Sequence, residues 1–89
     1  MQEFSGTVER FPGKGGWYYV EVPKALVPVG LRKTRWGFIP AECVLGVTRW
    51  KAALLPKGQG RYFIALKASV RKREAVQEGD RITVGFWLS

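Results

Sequence analysis

Residues 60–88 read G-R-Y-F-I-A-L-K-A-S-V-R-K-R-E-A-V-Q-E-G-D-R-I-T-V-G-F-W-L. The stretch divides into strand, short helix, tight turn and strand. Tyr62, Ile64 and Leu66 alternate with Arg61, Phe63 and Ala65, the period-2 pattern of a strand with one face buried. Ala68 to Val76 then holds good helix formers and neither Gly nor Pro. That is about two turns, too short to persist in water unless the helix docks on something. Gly79 stands where a chain leaving a helix needs a positive φ, which Gly adopts without a Cβ clash. From Arg81 the alternation resumes, with Ile82, Val84, Phe86 and Leu88 on one face and Arg81, Thr83, Gly85 and Trp87 on the other.

The residues before this stretch are punctuated in the same way. Phe4 to Phe11 forms a first strand and Trp17 to Val22 a second, linked by Pro12-Gly13-Lys14-Gly15-Gly16, so the pair reads as a hairpin. Pro23 cannot extend a central strand but can open a short helical turn over Pro23 to Val27, which Pro28 and Gly30 stop. Leu31 to Arg35 is a basic loop. Trp36 to Val44 is a third strand, in which Pro40 implies an edge or a bulge. Thr48 to Leu55 is a fourth, with Trp50, Ala52 and Leu54 sharing a face, and Pro56 to Gly60 is a second glycine-rich turn. Six strands joined by Gly/Pro turns, with one short helix, predict a small, mainly β barrel. Val20, Val22, Ile64, Leu66, Val70, Ile82, Val84 and Phe86 are its expected core.

A shift of 44 positions lays the chain over itself: Pro12 on Pro56, Gly16 on Gly60, Tyr18 on Tyr62, Val20 on Ile64, Val22 on Leu66, Leu26 on Val70, and further on Phe38 on Ile82 and Pro40 on Val84. Residues 4–44 and 48–88 then become two copies of one unit: hairpin, helical turn, strand. Two such halves would pair about a pseudo-twofold axis and close a barrel that neither could close alone, removing exposed edges. β-patterning alone produces a similar overlay, so the match is an expectation to be set against the fold.

Composition narrows the function classes. At 89 residues the chain is sized for one domain, and 46% hydrophobic residues with twelve aromatics can build a dense core. No signal peptide is expected, and no membrane span, since no apolar run reaches the roughly 20 residues that one needs. The single cysteine, Cys43, rules out an internal disulfide and sets a reducing cytoplasm as the expected compartment. With no histidine and one thiol, a zinc site or a histidine-based triad lacks its ligands or base. No metal, cofactor or catalytic set is therefore expected. The net charge of +8 favours nucleic acid or another polyanion as a neighbour, although the same charge serves solubility.

Two resemblances rest on quoted residues. L-K-A-S-V-R-K-R-E-A-V-Q-E-G-D-R-I-T-V resembles the strand, short helix, Gly-Asp and strand unit of AbrB- and MazE-type swapped-hairpin dimers. Val70-Arg71-Lys72, Val76 and Glu78-Gly79-Asp80 carry that likeness; Glu74 replaces its usual leucine and Lys67 its usual proline. Nearly the whole chain resembles the bacterial and archaeal family called domain of unknown function 1905. The carrying pieces are Phe4, Pro12-Gly13, Gly16-Trp17, Val22-Pro23-Lys24, Trp36-Gly37-Phe38, Trp50, Leu55-Pro56, Gly58, Gly60, Tyr62, Leu66-Lys67, Val70-Arg71-Lys72 and Gly79-Asp80. Ala75 stands where that family usually has glycine. The resemblance implies a double-split β-barrel of about six or seven strands, a single-chain counterpart of the swapped-hairpin dimer, and no established activity.

Arg71-Lys72-Arg73 and Arg32-Lys33 with Arg35 are the basic runs. On barrel loops they can contact phosphates, and the competing reading is a solvated face. Tyr, Trp and Arg can stack on unpaired bases, or simply fill the core. Gly13, Gly15, Gly16, Gly58 and Gly60 with Lys14 and Lys57 can cradle phosphate, but no P-loop spacing is present and hairpin geometry explains them. Glu42, Glu74, Glu78 and Asp80 are scattered, and Asp80 reads as a turn residue. Cys43 reads as a buried, inert thiol. The leading expectation is a binding module, not an enzyme, a monomer or weak homodimer that binds nucleic acid weakly through Arg71, Lys72, Arg73, Arg32, Lys33 and Arg35. The alternatives are a small-molecule or anion binder using the cleft between the halves, and a protein-interaction module.

Overall fold

The computed structural model describes residues 1–13, 15–27 and 37–88. They form β1 (Gln2–Thr7), β2 (Glu9–Arg10), β3 (Tyr18–Val22), a single 3-10 turn (Lys24–Leu26), β4 (Ile39–Leu45), β5 (Thr48–Gly58), β6 (Arg61–Ala65), α1 (Ala68–Arg73) and β7 (Arg81–Leu88). All strand pairings are antiparallel, in the order β1-β7-β4-β5-β6-β3-β2. β1 and β2 are one run of chain bent at Val8. Its start pairs with β7 and its end with β3, so the sheet curls into a nearly closed barrel. The bend is pinned: the Val8 N–H donates to the Asp80 carbonyl at 2.8 Å, and the Gly79 N–H donates to the Val8 carbonyl at 2.8 Å. Gly6 permits the closure, since a Cβ there would lie 2.7 Å from Val20 Cγ2.

The alternating residues meet inside. Val20, Val22, Ile64, Leu66, Val70, Ile82, Val84 and Phe86 are all buried, joined by Phe4, Val8, Ile39, Ala41, Cys43, Leu45, Trp50, Leu54 and Tyr62. Phe63, on the outward parity of β6, is buried as well. It meets Phe11 and Tyr19 in a second cluster on the outer surface, with ring centroids 5.0 and 5.3 Å away, and Phe11 stacks on Tyr19 at 4.2 Å.

Two elements depart from local pattern. β5 continues through Pro56 to Gly58: Pro56 keeps its place opposite Tyr62, beyond the last β4 pair at Leu54, and the register shift after it leaves Lys57 as the extra residue. The turn shrinks to Gln59-Gly60, at φ 56° and 74°, the positive pair that a two-residue hairpin favours. Pro40 lies in β4 opposite Ala53 of β5, one residue before the β7 pairing begins at Ala41.

The helix also ends early, at Arg73 and not Val76. Ala75 turns left-handed at φ 55°; the Val76 N–H donates to the Arg71 carbonyl at 2.8 Å and the Ala75 N–H to the Lys72 carbonyl at 3.4 Å. This is a Schellman ending with alanine in the position that favours glycine. Gly79 does have a positive φ, 93°, but it serves the next turn, where the Asp80 N–H donates to the Gln77 carbonyl and Asp80 Oδ2 accepts from the Gln77 N–H.

Strand order is unchanged when β1/β2, β3 and β4 are exchanged with β5, β6 and β7. At the centre, Val20 pairs with Ile64, residues 44 apart. The ungapped overlay does not extend to the last strand of each half. β4 buries Ile39, Ala41, Cys43 and Leu45, whereas β7 buries Ile82, Val84 and Phe86, so the shift that lays exposed Pro40 on buried Val84 reverses the faces. A slip by an odd number of residues separates the two, since side chains alternate strictly along a strand.

Candidate functional site

The densest basic run, Arg71-Lys72-Arg73, does not form one face. Successive helical residues are about 100° apart, so three in a row must diverge. Lys72 and Arg73 are exposed, but Arg71 is half-buried. Its Nε donates to the Leu66 carbonyl at 3.1 Å, and its guanidinium lies over the Tyr18 ring, 3.9 Å from the centroid. Arg10 stands 5.7 Å from the same centroid. Arg32, Lys33 and Arg35 lie outside the described residues.

Helix α1 is well placed to hold Arg71. Val70 on its inner side is 2% exposed and belongs to the core, and Val76 beyond the cap packs against that core. Thr48 Oγ1 donates to Glu74 Oε2 at 2.5 Å, tying the helix end to the start of β5.

Arg71 borders a cleft of about 450 Å³, walled by the residues entering β3, the middle of β5, the end of β6 and the first turn of α1. Gly15, Gly16, Trp17 and Tyr18 come from the first half of the chain; Trp50, Lys51, Ala52, Ala53, Leu55, Ala65, Leu66, Lys67, Ala68 and Arg71 come from the second. Three cations and no carboxylate occur among these residues. Trp17 is 57% exposed. Trp50 is buried, and its indole Nε1 has no hydrogen-bond partner among the described residues. The arrangement offers flat aromatic surface, an apolar floor and positive charge, the ingredients of a site for a planar anion.

The two glycine turns are not one cradle. β3 pairs with β6 so that Tyr19 faces Ala65 and Val22 faces Tyr62. The turn before β3 therefore lies at the opposite end of this pair from the turn before β6. Gly15 and Gly16 reach the cleft; Gly58 and Gly60 do not. Gly16 is required by the hairpin itself, since a Cβ there would strike the Phe11 carbonyl oxygen.

Lys57 belongs to a different cluster, on the outer face of β3 and β6. Glu21 accepts from Arg61 Nε and Nη2, each at 2.7 Å, and from Lys57 Nζ at 3.1 Å, while Lys57 also lies 4.8 Å from the Tyr19 ring centroid. The Arg61 hydrogen bonds, with help from Lys57, hold the Glu21 carboxyl down at about 2. These charges are mutually satisfied and leave little for a ligand. Cys43 is fully buried in β4, and burial pushes its thiol up to about 12, so it is a packing residue. Among the described residues, no group of three or more His, Cys, Asp or Glu could hold a metal ion, and no helix is long and apolar enough to cross a membrane.

Trp17, Trp50, Lys51 and Lys67 carry no mark in the basic runs that draw attention in the sequence. Trp17 has one legible signal: it lies on the opposite parity from Tyr18, Val20 and Val22, so a large aromatic faces away from the core beside a glycine turn. A comparison with curated proteins returns no match. The model of one family does match, over residues 4–85, and the chain therefore belongs to the family described as Domain of unknown function (DUF1905).

Proposed function

We propose that this protein is a binding module, not an enzyme, whose cleft takes a small anion with a flat apolar body. The observation that carries this reading is the cleft wall, where Lys51, Lys67 and Arg71 surround aromatic and aliphatic side chains with no carboxylate among them. Lys51 and Lys67 are exposed and Arg71 is half-buried, so their pull on an anion is partly screened by water and the apolar floor shares in holding the ligand. The volume suits the purpose: small-molecule sites run from roughly 300 to 1,000 Å³. The non-enzymatic reading is supported by the lack of histidine in the sequence and of Cys, Asp or Glu in the cleft wall, which leaves only tyrosine, lysine and arginine as titratable side chains beside a bound ligand. Nucleic-acid binding along a continuous basic face has less support, because Arg71 is turned toward Tyr18 and away from the direction of its neighbours.

Isothermal titration calorimetry with a naphthalene sulfonate tests the proposal. One site is expected, weakened by Lys51→Gln with Lys67→Gln and little changed by the charge-matched pair Lys72→Gln with Arg73→Gln. Equal weakening by both pairs would assign the effect to net charge. No binding by the wild type would end the cleft reading.

A further inference from the structure

Resting on the cleft reading, we infer that the anion is a nucleotide unit, its base stacked on Trp17 and its phosphate held between Lys67 and Arg71. Of the aromatic residues around the cleft, Trp17 has the ring with free surface. Tyr18 is already covered by the Arg71 guanidinium at 3.9 Å, and Trp50 is 8% exposed. An indole that is 57% exposed contributes little to a barrel core, and its face is what a heterocyclic base stacks on. The backbone beside it is open, since a Cβ built on Gly15 would meet no atom within 4 Å among the described residues other than its chain neighbours.

The charge favours phosphate over a carboxylate. A phosphate monoester carries about −1.5 to −2 at neutral pH, and three cations border the cleft to meet it. Arg71 is preset for it. Its Nε is occupied by the Leu66 carbonyl and its plane rests on Tyr18, which fixes the guanidinium and leaves the two terminal amino groups to donate as a fork. A nucleoside monophosphate offers a group to each of Trp17 and Arg71, joining a flat heterocycle to a phosphate through its sugar. The same unit occurs free and within single-stranded nucleic acid.

The test is a ¹H–¹⁵N NMR titration of the whole protein, following the Trp17 and Trp50 indole N–H signals. The ligands are adenosine, guanosine, cytidine and uridine monophosphates, then adenosine, ribose phosphate, a naphthalene sulfonate and a short oligoadenylate. At least one monophosphate should shift both indoles and bind about tenfold or more tighter than adenosine or ribose phosphate, because neither fragment fills both ends. Trp17→Ala should weaken it by about fivefold or more, the low end of what stacking on an aromatic side chain contributes. Trp17 is exposed, so an unchanged spectrum elsewhere will show that the variant is folded. If the oligoadenylate binds tighter per nucleotide than the monophosphate, with steep salt dependence, the unit comes from single-stranded nucleic acid; if it does not, the unit is the free nucleotide. If the sulfonate binds in the cleft and no monophosphate does, the nucleotide assignment is overturned and the cleft reading stands. If neither binds, both fall. Monophosphate binding that Trp17→Ala leaves unchanged also overturns the assignment.

Discussion

Ala75→Gly should make this protein more stable, and the reason lies in one dihedral angle. Ala75 has φ 55° at the end of α1, is exposed, and makes its cap through backbone groups alone. Holding a residue with a Cβ in the left-handed region costs about 1–2 kcal/mol. Glycine removes that cost but brings a more mobile unfolded chain, which takes back about 0.4–1 kcal/mol. The net gain is about 0.5–1 kcal/mol, since no packing is lost with an exposed methyl group. In a domain of this size that raises the thermal midpoint by about 2–8 °C. Gly79→Ala is the mirror experiment. At φ 93° with open space around its Cβ position, it isolates the backbone effect and should cost about 1 kcal/mol. Thermal and urea unfolding followed by circular dichroism would read both variants. A midpoint for Ala75→Gly equal to or below that of the wild type would refute the left-handed placement of residue 75, and with it the Schellman ending.

Leu54→Ala, at a fully buried position of β5, should cost about 2–5 kcal/mol in urea unfolding, and a loss under about 1 kcal/mol would mean the inward face of β5 is wrongly assigned. Glu21 has a folded carboxyl at about 2 against an ordinary 4.5, so its ion pair stabilises the fold above pH 4.5 and is lost as pH falls toward 2. Glu21→Gln should therefore cost at most about 1 kcal/mol at neutral pH, the partly exposed pair being screened by solvent, and the gap to wild type should close between those two pH values. A gap that does not change with pH would leave the ion pair without a role. Cys43 should resist thiol reagents in the native protein at pH 8 and react once urea unfolds it; fast native labelling would contradict its burial.

Much of the barrel is legible in local pattern because a strand's inside and outside are set by parity. The eight residues expected in the core, seven from strand alternation and Val70 from the helix, are all buried, and the turns fall at Gly/Pro clusters. Local pattern is weaker where a residue obeys a partner that is distant in sequence. Phe63 has outward parity in β6, yet it is covered because Phe11 and Tyr19 arrive beside it from the first hairpin. Pro56 looks like a stop for β5, but β5 has by then left the β4 ladder, and Pro56 holds its place opposite Tyr62 of β6. Ala75 carries a Cβ that disfavours a positive φ, yet the chain takes the left-handed turn there, and Val76 just beyond it packs against the core.

The candidate site is less legible than the fold, for the same reason. A run of three basic residues shows where positive charge is dense, but not where each charge points. Helical geometry, the Leu66 carbonyl and the Tyr18 ring send Arg71 toward the cleft, while Lys72 and Arg73 remain in water. The cleft joins Trp17 and Tyr18 to residues 32–54 positions further along the chain, and no periodicity within one element can encode such a meeting. Composition and alternation are therefore sufficient for a basic, mainly β barrel with this core, because burial of each strand face depends on that strand's own sequence. The gathering of Trp17, Lys67 and Arg71 around one cleft depends on how β3 pairs with β6 and where α1 docks, and those are decided only when the whole barrel closes.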